Sequence, residues 1–286
     1  MSQRIRLMTH NVWNCDGNHK AWEEKGEDCS AKKRVGALVR IYRETLPDII
    51  GGQEVSVLMA DLLKENLLDC GMDYTFIWGR FTPIMYRADK FELLDSHFES
   101  YPEKIEGFEG SFNDVRSKSM NIAVFREKQS SFTFVFATTH LWWKKTDEKF
   151  IGTSSYQAHS DEARTYQMGL LIKKINEFKA KYNCPAIVVG DLNTGYNSEA
   201  VQLLLKNGYK HAHDVATEYA EESVGLHYCY PAGYETYYYD RPFETAIDHI
   251  IVSDDAKDYV RRFERYSPDY YFPISDHSPS FIDVEI

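Results

Sequence analysis

The feature that most constrains this chain is the alternation of two kinds of apolar segment along its whole length. Short continuous runs, Ile49-Ile50 and Ile187-Val188-Val189, predict strands that are buried on both faces. Apolar residues spaced three and four apart predict long helices, one from Val35 to Leu46 and one from Met168 to Phe178. Strands and helices are therefore interleaved throughout the chain.

Weaker patterns complete this outline. Strict apolar alternation predicts further strands at residues 5–7, 120–124, 132–136 and 282–286. Shorter helices are predicted over 56–69 and 198–207, the second capped by Asn197 or Ser198. Because no Pro/Gly/Ser-rich linker separates these elements, we expect one domain over residues 1–286.

The two halves of the sequence share a faint repeat. The shared residues are Thr9, His10, Trp13 and Arg34 in the first copy and Thr139, His140, Trp143 and Arg164 in the second. Chance is an alternative explanation for so few identities. If the repeat is structural, two related sheets would bring their acid-bearing turns to one end of the molecule.

The charge balance disfavours one class of partner. Lys and Arg number 33 against 44 Asp and Glu, which gives a net charge of −11. A protein that holds nucleic acid through its surface field needs a basic face, so we expect no stable binding to duplex DNA. A local basic patch remains open.

The cysteines and the hydropathy pattern indicate the cellular compartment and whether the chain inserts into membranes. The five cysteines are an odd number without a CxxC pair, which indicates reduced thiols. The apolar runs are far shorter than the ~20 residues that span a bilayer, and no apolar leader pattern is visible. We therefore expect a cytoplasmic protein that does not insert into membranes.

The sharpest candidate for chemistry is the segment Val188-Val189-Gly190-Asp191-Leu192-Asn193. An apolar strand stops at a glycine and then presents a carboxylate and, two positions later, a carboxamide. The ends of strands are where α/β folds place their ligands. The alternative is that Asp191 and Asn193 only close a turn and cap the next helix.

Further polar residues follow other predicted strands or interrupt them. They are Asn11, Glu54, His140, Asp248 and the pair Asp276-His277. Asp248 stands inside the apolar run from Ala246 to Val252, where a carboxylate is costly to bury unless a partner satisfies it.

Taken together and in this order, these motifs resemble the endonuclease/exonuclease/phosphatase family, whose fold is called DNase I-like. The resemblance extends from His10-Asn11 to Ser275-Asp276-His277. It implies an α/β sandwich of two packed mixed β-sheets with helices outside. The box typical of inositol polyphosphate 5-phosphatases and the signature of abasic-site endonucleases are both absent.

The resemblance also implies a role for each residue. Glu54 and Asp276 match metal ligands, with Asn11 in support of the metal site. Asp191 and Asn193 match the pair that activates water and contacts phosphate. His277 matches the catalytic histidine held by Asp248, and His140 matches a second histidine facing phosphate. Tyr86 and Arg87 fall where the family often carries an aromatic-Arg pair, and the resemblance implies that Tyr86 binds the substrate.

Carboxylates with an asparagine suit Mg²⁺ or Mn²⁺ rather than zinc, because these hard cations prefer oxygen ligands. Such an ion neutralises the anionic phosphate ester and stabilises its leaving oxygen. Asp191 can then orient and deprotonate water, while His277 stabilises charge on the phosphoryl oxygens.

Several other segments permit two interpretations. Trp142, Trp143 and Lys144, followed by Lys145, form either a platform for rings and phosphate or a half-buried strand end with solvated lysines. Arg116 and Arg164 are candidates for phosphate contacts or for salt bridges. The His211-x-His213 pair is a weak metal motif or an ordinary loop, and Tyr228 to Phe243 is a substrate-facing hairpin or a packed ribbon.

We therefore expect a Mg²⁺-dependent phosphoesterase that hydrolyses a phosphodiester or phosphomonoester by in-line attack of an activated water. The expected partner is a small phosphate ester or a short single-stranded nucleic acid. One alternative is a nuclease or exonuclease acting on single strands. Another is a catalytically silent binding module on the same fold, although a silent module would be expected to have lost some of these residues.

Overall fold

The fold is built around two β-sheets that pack face to face. The computed structural model describes residues 3–24, 26–220, 246–266, 268, 270 and 274–286. The strands are β1 (Arg4–Asn11), β2 (Ile49–Gln53), β3 (Thr75–Ile77), β4 (Ile84–Tyr86), β5 (Phe91–Ser100), β6 (Ser119–Glu127), β7 (Thr133–His140), β8 (Ala186–Asp191), β9 (Tyr209–His211), β10 (Glu218–Tyr219), β11 (Asp248–Ser253), β12 (Val260–Arg265) and β13 (Ser280–Glu285). The helices are α1 (Lys20–Glu23), α2 (Ala31–Thr45), α3 (Val57–Asp69), α4 (Ser160–Tyr182), α5 (Glu199–Lys206) and α6 (Ala212–Val215).

Both sheets are mixed. The first has the strand order β10-β12-β13-β1-β2-β4-β3, and the second has the order β5-β6-β7-β8-β11-β9. Each contains a central parallel pair, β1 with β2 and β7 with β8, with antiparallel strands on either side, and the first sheet has a second parallel pair, β10 with β12, at its edge. The predicted DNase I-like sandwich of two mixed sheets is confirmed.

Three apolar layers hold the sandwich together. Between the sheets, Leu7 and Ile49 of the first sheet belong to the same buried cluster as Phe136 and Val189 of the second. Helices α2 and α3 cover the outer face of the first sheet, and α4 and α5 cover that of the second. This arrangement explains the continuous apolar runs, because the central strands are covered on both faces.

Two glycines allow the central strands to approach closely. A Cβ atom on Gly51 would lie 2.5 Å from Cγ2 of Val189 in the opposite sheet. A Cβ atom on Gly190 would lie 2.1 Å from the carbonyl oxygen of Thr139 on the neighbouring strand. Larger residues at either position would push apart the strands whose ends carry Glu54 and Asp191.

The predicted helices and strands are present, with shifted ends. The helix expected over 198–207 is α5, and the side chain of Ser198 caps it by accepting the N–H of Val201. Strand β7 begins at Thr133 rather than at Phe132. No helix among the described ranges is long and apolar enough to cross a membrane.

The faint repeat has a structural counterpart. In the first copy, Nη1 of Arg34 donates to the carbonyl of Val12, just after β1. In the second, Nη1 of Arg164 donates to the carbonyl of Trp142, just after β7. Both arginines therefore join the start of a long helix to the chain that leaves a central strand. This contact supports a structural rather than a chance origin of the repeat.

Candidate active site

The candidate residues meet because their strands end at the same edge of the sandwich. Asn11 ends β1 and His140 ends β7. Asp191 ends β8, and Asp248 begins the antiparallel neighbour β11 directly opposite Asp191. Glu54 follows β2, while Asp276 and His277 lie shortly before β13. Alternating strand directions thus bring distant parts of the sequence to one edge.

Five of these seven residues, all except Asn11 and Asp248, line the floor of a cleft of about 640 Å³. The floor contains Glu54, His140, Asp191, Asn193, Asp276 and His277. Apolar and aromatic side chains form much of the wall, among them Trp13, Phe81, Trp143 and Phe150. The cleft therefore combines a polar, charged floor with a wall of rings, and its volume exceeds what a phosphate group alone needs.

His277 and Asp248 form a buried ion pair at one side of the floor. Nδ1 of His277 donates to Oδ2 of Asp248 over 2.7 Å. Burial disfavours the imidazolium, but the carboxylates of Asp248, Asp191 and Asp276 outweigh it and raise the pKa of His277 well above its ordinary value. Burial alone would raise the pKa of Asp248. The charge and hydrogen bond of His277 have the larger effect, so the pKa of Asp248 is lowered.

Asp191 is held from several sides. The amide of Asn11 donates to Oδ2 over 2.9 Å, and the backbone N–H of Asn193 donates to Oδ1 over 2.8 Å. Nε2 of His277 lies 3.8 Å from Oδ2. Burial, opposed by the imidazolium of His277 and reinforced by the charge of Asp248, raises the pKa of Asp191 to about 6. The carboxylate is therefore fixed in orientation and more basic than a solvated aspartate.

Glu54 occupies the opposite side of the floor. Its backbone has a left-handed φ of 56°, and its Oε2 accepts the N–H of Asn14 over 2.9 Å. Oε1 lies 3.8 Å from Nε2 of His140. The side chain is 29% exposed, whereas that of Asp191 is 2% exposed. Glu54 thus keeps an oxygen open to the cleft.

Lys118 is a site residue that the sequence analysis missed. It is 4% exposed, and its ammonium donates to Nε2 of His140 over 2.8 Å. The side chain of Asn113 fixes it by bonding both the N–H and the carbonyl of Lys118. Burial and the charge of Lys118 lower the pKa of His140 well below its ordinary value, so this imidazole is neutral.

The donor atoms fit a hard divalent cation. One ligand atom from each of Glu54, His140 and Asp191 lies within 4.8 Å of the others, whereas a second such group, Asp191, Asp248 and His277, is already joined by the His277–Asp248 ion pair. Asp276 lines the same cleft. Carboxylate oxygens with one open to solvent suit Mg²⁺ or Mn²⁺. Oδ1 of Asn11 accepts the N–H of Trp13, so Asn11 here orients Asp191 and the adjoining loop.

The structure corrects part of the expected substrate-binding set. Tyr86 is buried between the two sheets, where its ring centroid lies 4.8 Å from that of Phe125, so it does not reach the cleft. Trp142 is also buried, in an apolar cluster with Phe112. Trp143 does line the cleft, and its Nε1 donates to Asp114 over 3.1 Å.

One of the basic candidates lines the cleft, and the others do not. Lys145 lines the cleft, whereas Lys144 does not and lies 5.7 Å from the Trp143 ring centroid. Arg116 is exposed outside the cleft lining, although Val115 and Ser117 belong to it. Arg164 is structural, since it bonds the carbonyls of Trp142 and Lys144.

The His211-x-His213 motif is not part of the cleft lining. His211 packs beside His249, with Nε2 of the first 3.1 Å from Nδ1 of the second. His211 and His213 belong to no metal-ligand cluster among the described residues. The segment Tyr228 to Phe243 lies outside the described residues, so its predicted role at the substrate stays a prediction.

Comparisons with known proteins agree with this geometry. Residues 8–277 match the model of the Endonuclease/Exonuclease/phosphatase family. An endonuclease/exonuclease/phosphatase from Bacteroides vulgatus shares 22% identity with a TM-score of 0.71, over 99% of both chains. No curated protein sequence matches the chain.

Two other solved structures are similar in fold. A mannosyl-6-phosphatase from Bacteroides thetaiotaomicron VPI-5482 shares 19% identity with a TM-score of 0.72, over 99% of each chain. TDP2 from D. rerio, solved with a single-strand DNA product, shares 16% identity with a TM-score of 0.65, over 98% of each chain.

Proposed function

The chain belongs to the endonuclease/exonuclease/phosphatase family, and we propose that it is a divalent-metal-dependent phosphoesterase. It would hydrolyse a phosphodiester or a phosphomonoester through an activated water. The observation that carries this proposal is the single cleft that joins the basic carboxylate of Asp191 to the His277–Asp248 pair. One group accepts a proton there, and the other carries positive charge.

In this proposal Asp191 orients the water and accepts its proton. Its pKa of about 6 is close to the range in which a carboxylate is ionised at neutral pH yet basic enough to act. The amide of Asn11 and the backbone N–H of Asn193 keep both of its oxygens in place. The Asp191 carboxylate that accepts the proton from water is therefore already fixed in orientation.

Positive charge faces the phosphoryl oxygens from two fixed groups. The His277 imidazolium, held by Asp248, lies on one side of Asp191, and Lys118 lies beside His140 on the other. Fixed charges in a buried site stabilise a developing anion without reorganising when the reaction occurs. Glu54 and Asp276 would hold Mg²⁺ or Mn²⁺, which when bound neutralises phosphate charge and stabilises the leaving oxygen.

The substrate we propose is a small phosphate ester. Trp13, Phe81 and Trp143 on the cleft wall offer ring surfaces to the part of the substrate beyond the phosphate. The similar structure named a mannosyl-6-phosphatase supports a small phosphorylated molecule. The TDP2 structure, which holds a single-strand DNA product, favours the second candidate, a short single-stranded end stacked on the same rings.

A screen of substrates tests the proposal. The protein is offered p-nitrophenyl phosphate, bis-p-nitrophenyl phosphate, single-stranded oligonucleotides and sphingomyelin, each with Mg²⁺ or Mn²⁺. We expect turnover of at least one phosphate ester, and its loss in Asp191→Asn. Asp254→Asn, at an exposed carboxylate outside the cleft lining, is the matched control. If no ester is hydrolysed with either metal, the silent binding module becomes the better account.

A further inference from the structure

Two thiols face each other in the loop that leads from β1 to α2. Sγ of Cys15 lies 3.8 Å from Sγ of Cys29, and both cysteines are free thiols. Cys15 is partly exposed, whereas Cys29 is buried with no accessible surface. One thiol is therefore open to a reagent in solution, and the other is not.

The backbone around this pair is already held in place by other bonds. The buried guanidinium of Arg34 donates to the carbonyls of Cys15 and Cys29, over 2.8 Å and 2.7 Å. Oδ1 of Asn18 accepts the N–H of Cys29 over 2.9 Å. Arg34 and Asn18 thus hold the two thiols near each other, and the sulfur atoms, 3.8 Å apart, would approach to about 2.05 Å in a disulfide.

We propose that Cys15 and Cys29 are a disulfide-forming pair that is oxidised by a small-molecule disulfide such as oxidised glutathione. The sulfur of Cys15 attacks the disulfide, releases one thiol and forms a mixed disulfide. The sulfur of Cys29 then attacks Cys15 and releases the second thiol. Two protein thiols and one small disulfide thus become one protein disulfide and two small thiols.

The cross-link would act on the cleft because the same loop forms one side of it. Trp13 lines the cleft, and the carbonyl of Trp13 also accepts from Arg34. The N–H of Asn14, adjacent to Cys15, donates to Glu54. A disulfide at Cys15 therefore adds a covalent link to the segment that supports Glu54, whichever phosphate ester the cleft accepts.

The pair is suited to slow exchange and not to rapid sensing. Burial and the neighbouring Cys29 thiol raise the pKa of Cys15 to about 12, so little thiolate is present at neutral pH. We expect oxidation to become faster as the pH rises. Once formed, the disulfide closes a short loop and stabilises the folded state, with a rise in Tm of about 5 °C.

Peptide mass mapping after incubation of the full chain with excess oxidised glutathione tests this inference. We expect the peptides of Cys15 and Cys29 to be joined, with the loss of two hydrogens. Cys29→Ser should trap glutathione on Cys15, and Cys15→Ser should leave Cys29 unmodified. The exposed Cys70 is an internal control that should carry glutathione in every variant.

Two results would overturn the inference. In one, parent protein accumulates glutathione on Cys15 without a joined peptide. In the other, Cys15 and Cys29 both stay reduced while Cys70 reacts. Because the readout is the mass of the peptides, neither result bears on the proposed phosphoesterase activity, which the substrate screen tests separately.

Discussion

Nδ1 of His277 lies 2.7 Å from Oδ2 of Asp248, in a pair that joins the loop before β13 to the first residue of β11. Both side chains are almost completely buried, with 7% and 2% exposed. The contact explains how a carboxylate can stand at the head of the apolar strand β11. It also fixes the ring of His277 so that Nε2 points toward Asp191.

Replacement of Asp248 by Asn should lower kcat about 10²- to 10⁴-fold with a small change in KM, because the imidazole loses its orientation and its charge partner. Steady-state kinetics on the best ester from the screen measure this effect. Asp254→Asn should retain parent kinetics. Equal turnover by Asp248→Asn and the parent would remove this pair from the mechanism.

Lys118→Gln should impair phosphomonoesters more than phosphodiesters. A monoester dianion interacts with a fixed positive charge about twice as strongly as a diester monoanion does, so the loss in kcat/KM should be about tenfold greater for the monoester. The paired substrates are p-nitrophenyl phosphate and bis-p-nitrophenyl phosphate. Lys144→Gln, outside the cleft lining, is the control. Equal losses on both esters would limit Lys118 to positioning His140.

The positions of the strand ends explain why most of the candidate site could be predicted. Asn11, His140 and Asp191 each end a strand whose apolar pattern is visible in the sequence. Parallel and antiparallel pairing then brings these ends to one edge. Asp248 could be predicted to need a partner, since its neighbours Ile247 and Ile250 are apolar.

The wrong predictions and the missed residue have physical causes that cannot be inferred from a single sequence. Trp142 and Trp143 are adjacent, with ring centroids 6.1 Å apart, but Trp142 is buried in a cluster with Phe112 and only Trp143 lines the cleft. Tyr86 shares its side of β4 with Ile84, which faces the other sheet. Lys118 resembles a solvated lysine before a strand, and only the turn held by Asn113 carries it inward.

The stability of the metal-free protein should depend on pH through His277. The folded pKa of His277 is raised, so its pairing contributes full stability below about pH 6.5, the ordinary histidine value. Above that pH the unfolded chain releases the proton first, and the contribution falls as pH rises through the folded pKa. Near pH 6, the free energy of unfolding of His277→Gln should be about 3–5 kcal/mol lower than that of the parent.

Denaturant titrations of both proteins in chelator, from pH 6 upward, measure this difference. The difference in the free energy of unfolding between the parent and His277→Gln should decrease steadily as the pH rises. A difference that stays constant across this range would show that His277 contributes through packing alone.

Duplex DNA should be a poor substrate. The net charge is −11, and only two lysines, Lys118 and Lys145, line the cleft within the described residues. Binding to duplex needs several phosphate contacts along a groove, whereas a small ester needs few and shows a mild dependence on salt. Efficient nicking of supercoiled plasmid at physiological salt, abolished by Asp191→Asn, would favour the nuclease.

The most direct test of the central claim is a metal titration of chelator-treated protein, followed by ester hydrolysis. The account predicts no turnover without metal and recovery with Mg²⁺ or Mn²⁺. Glu54→Gln should need at least about tenfold more metal for half-maximal activity, since it loses a carboxylate ligand. Glu65→Gln, at an exposed position on α3, should match the parent. Full turnover in the presence of chelator, or an unchanged metal requirement in Glu54→Gln, would contradict the account.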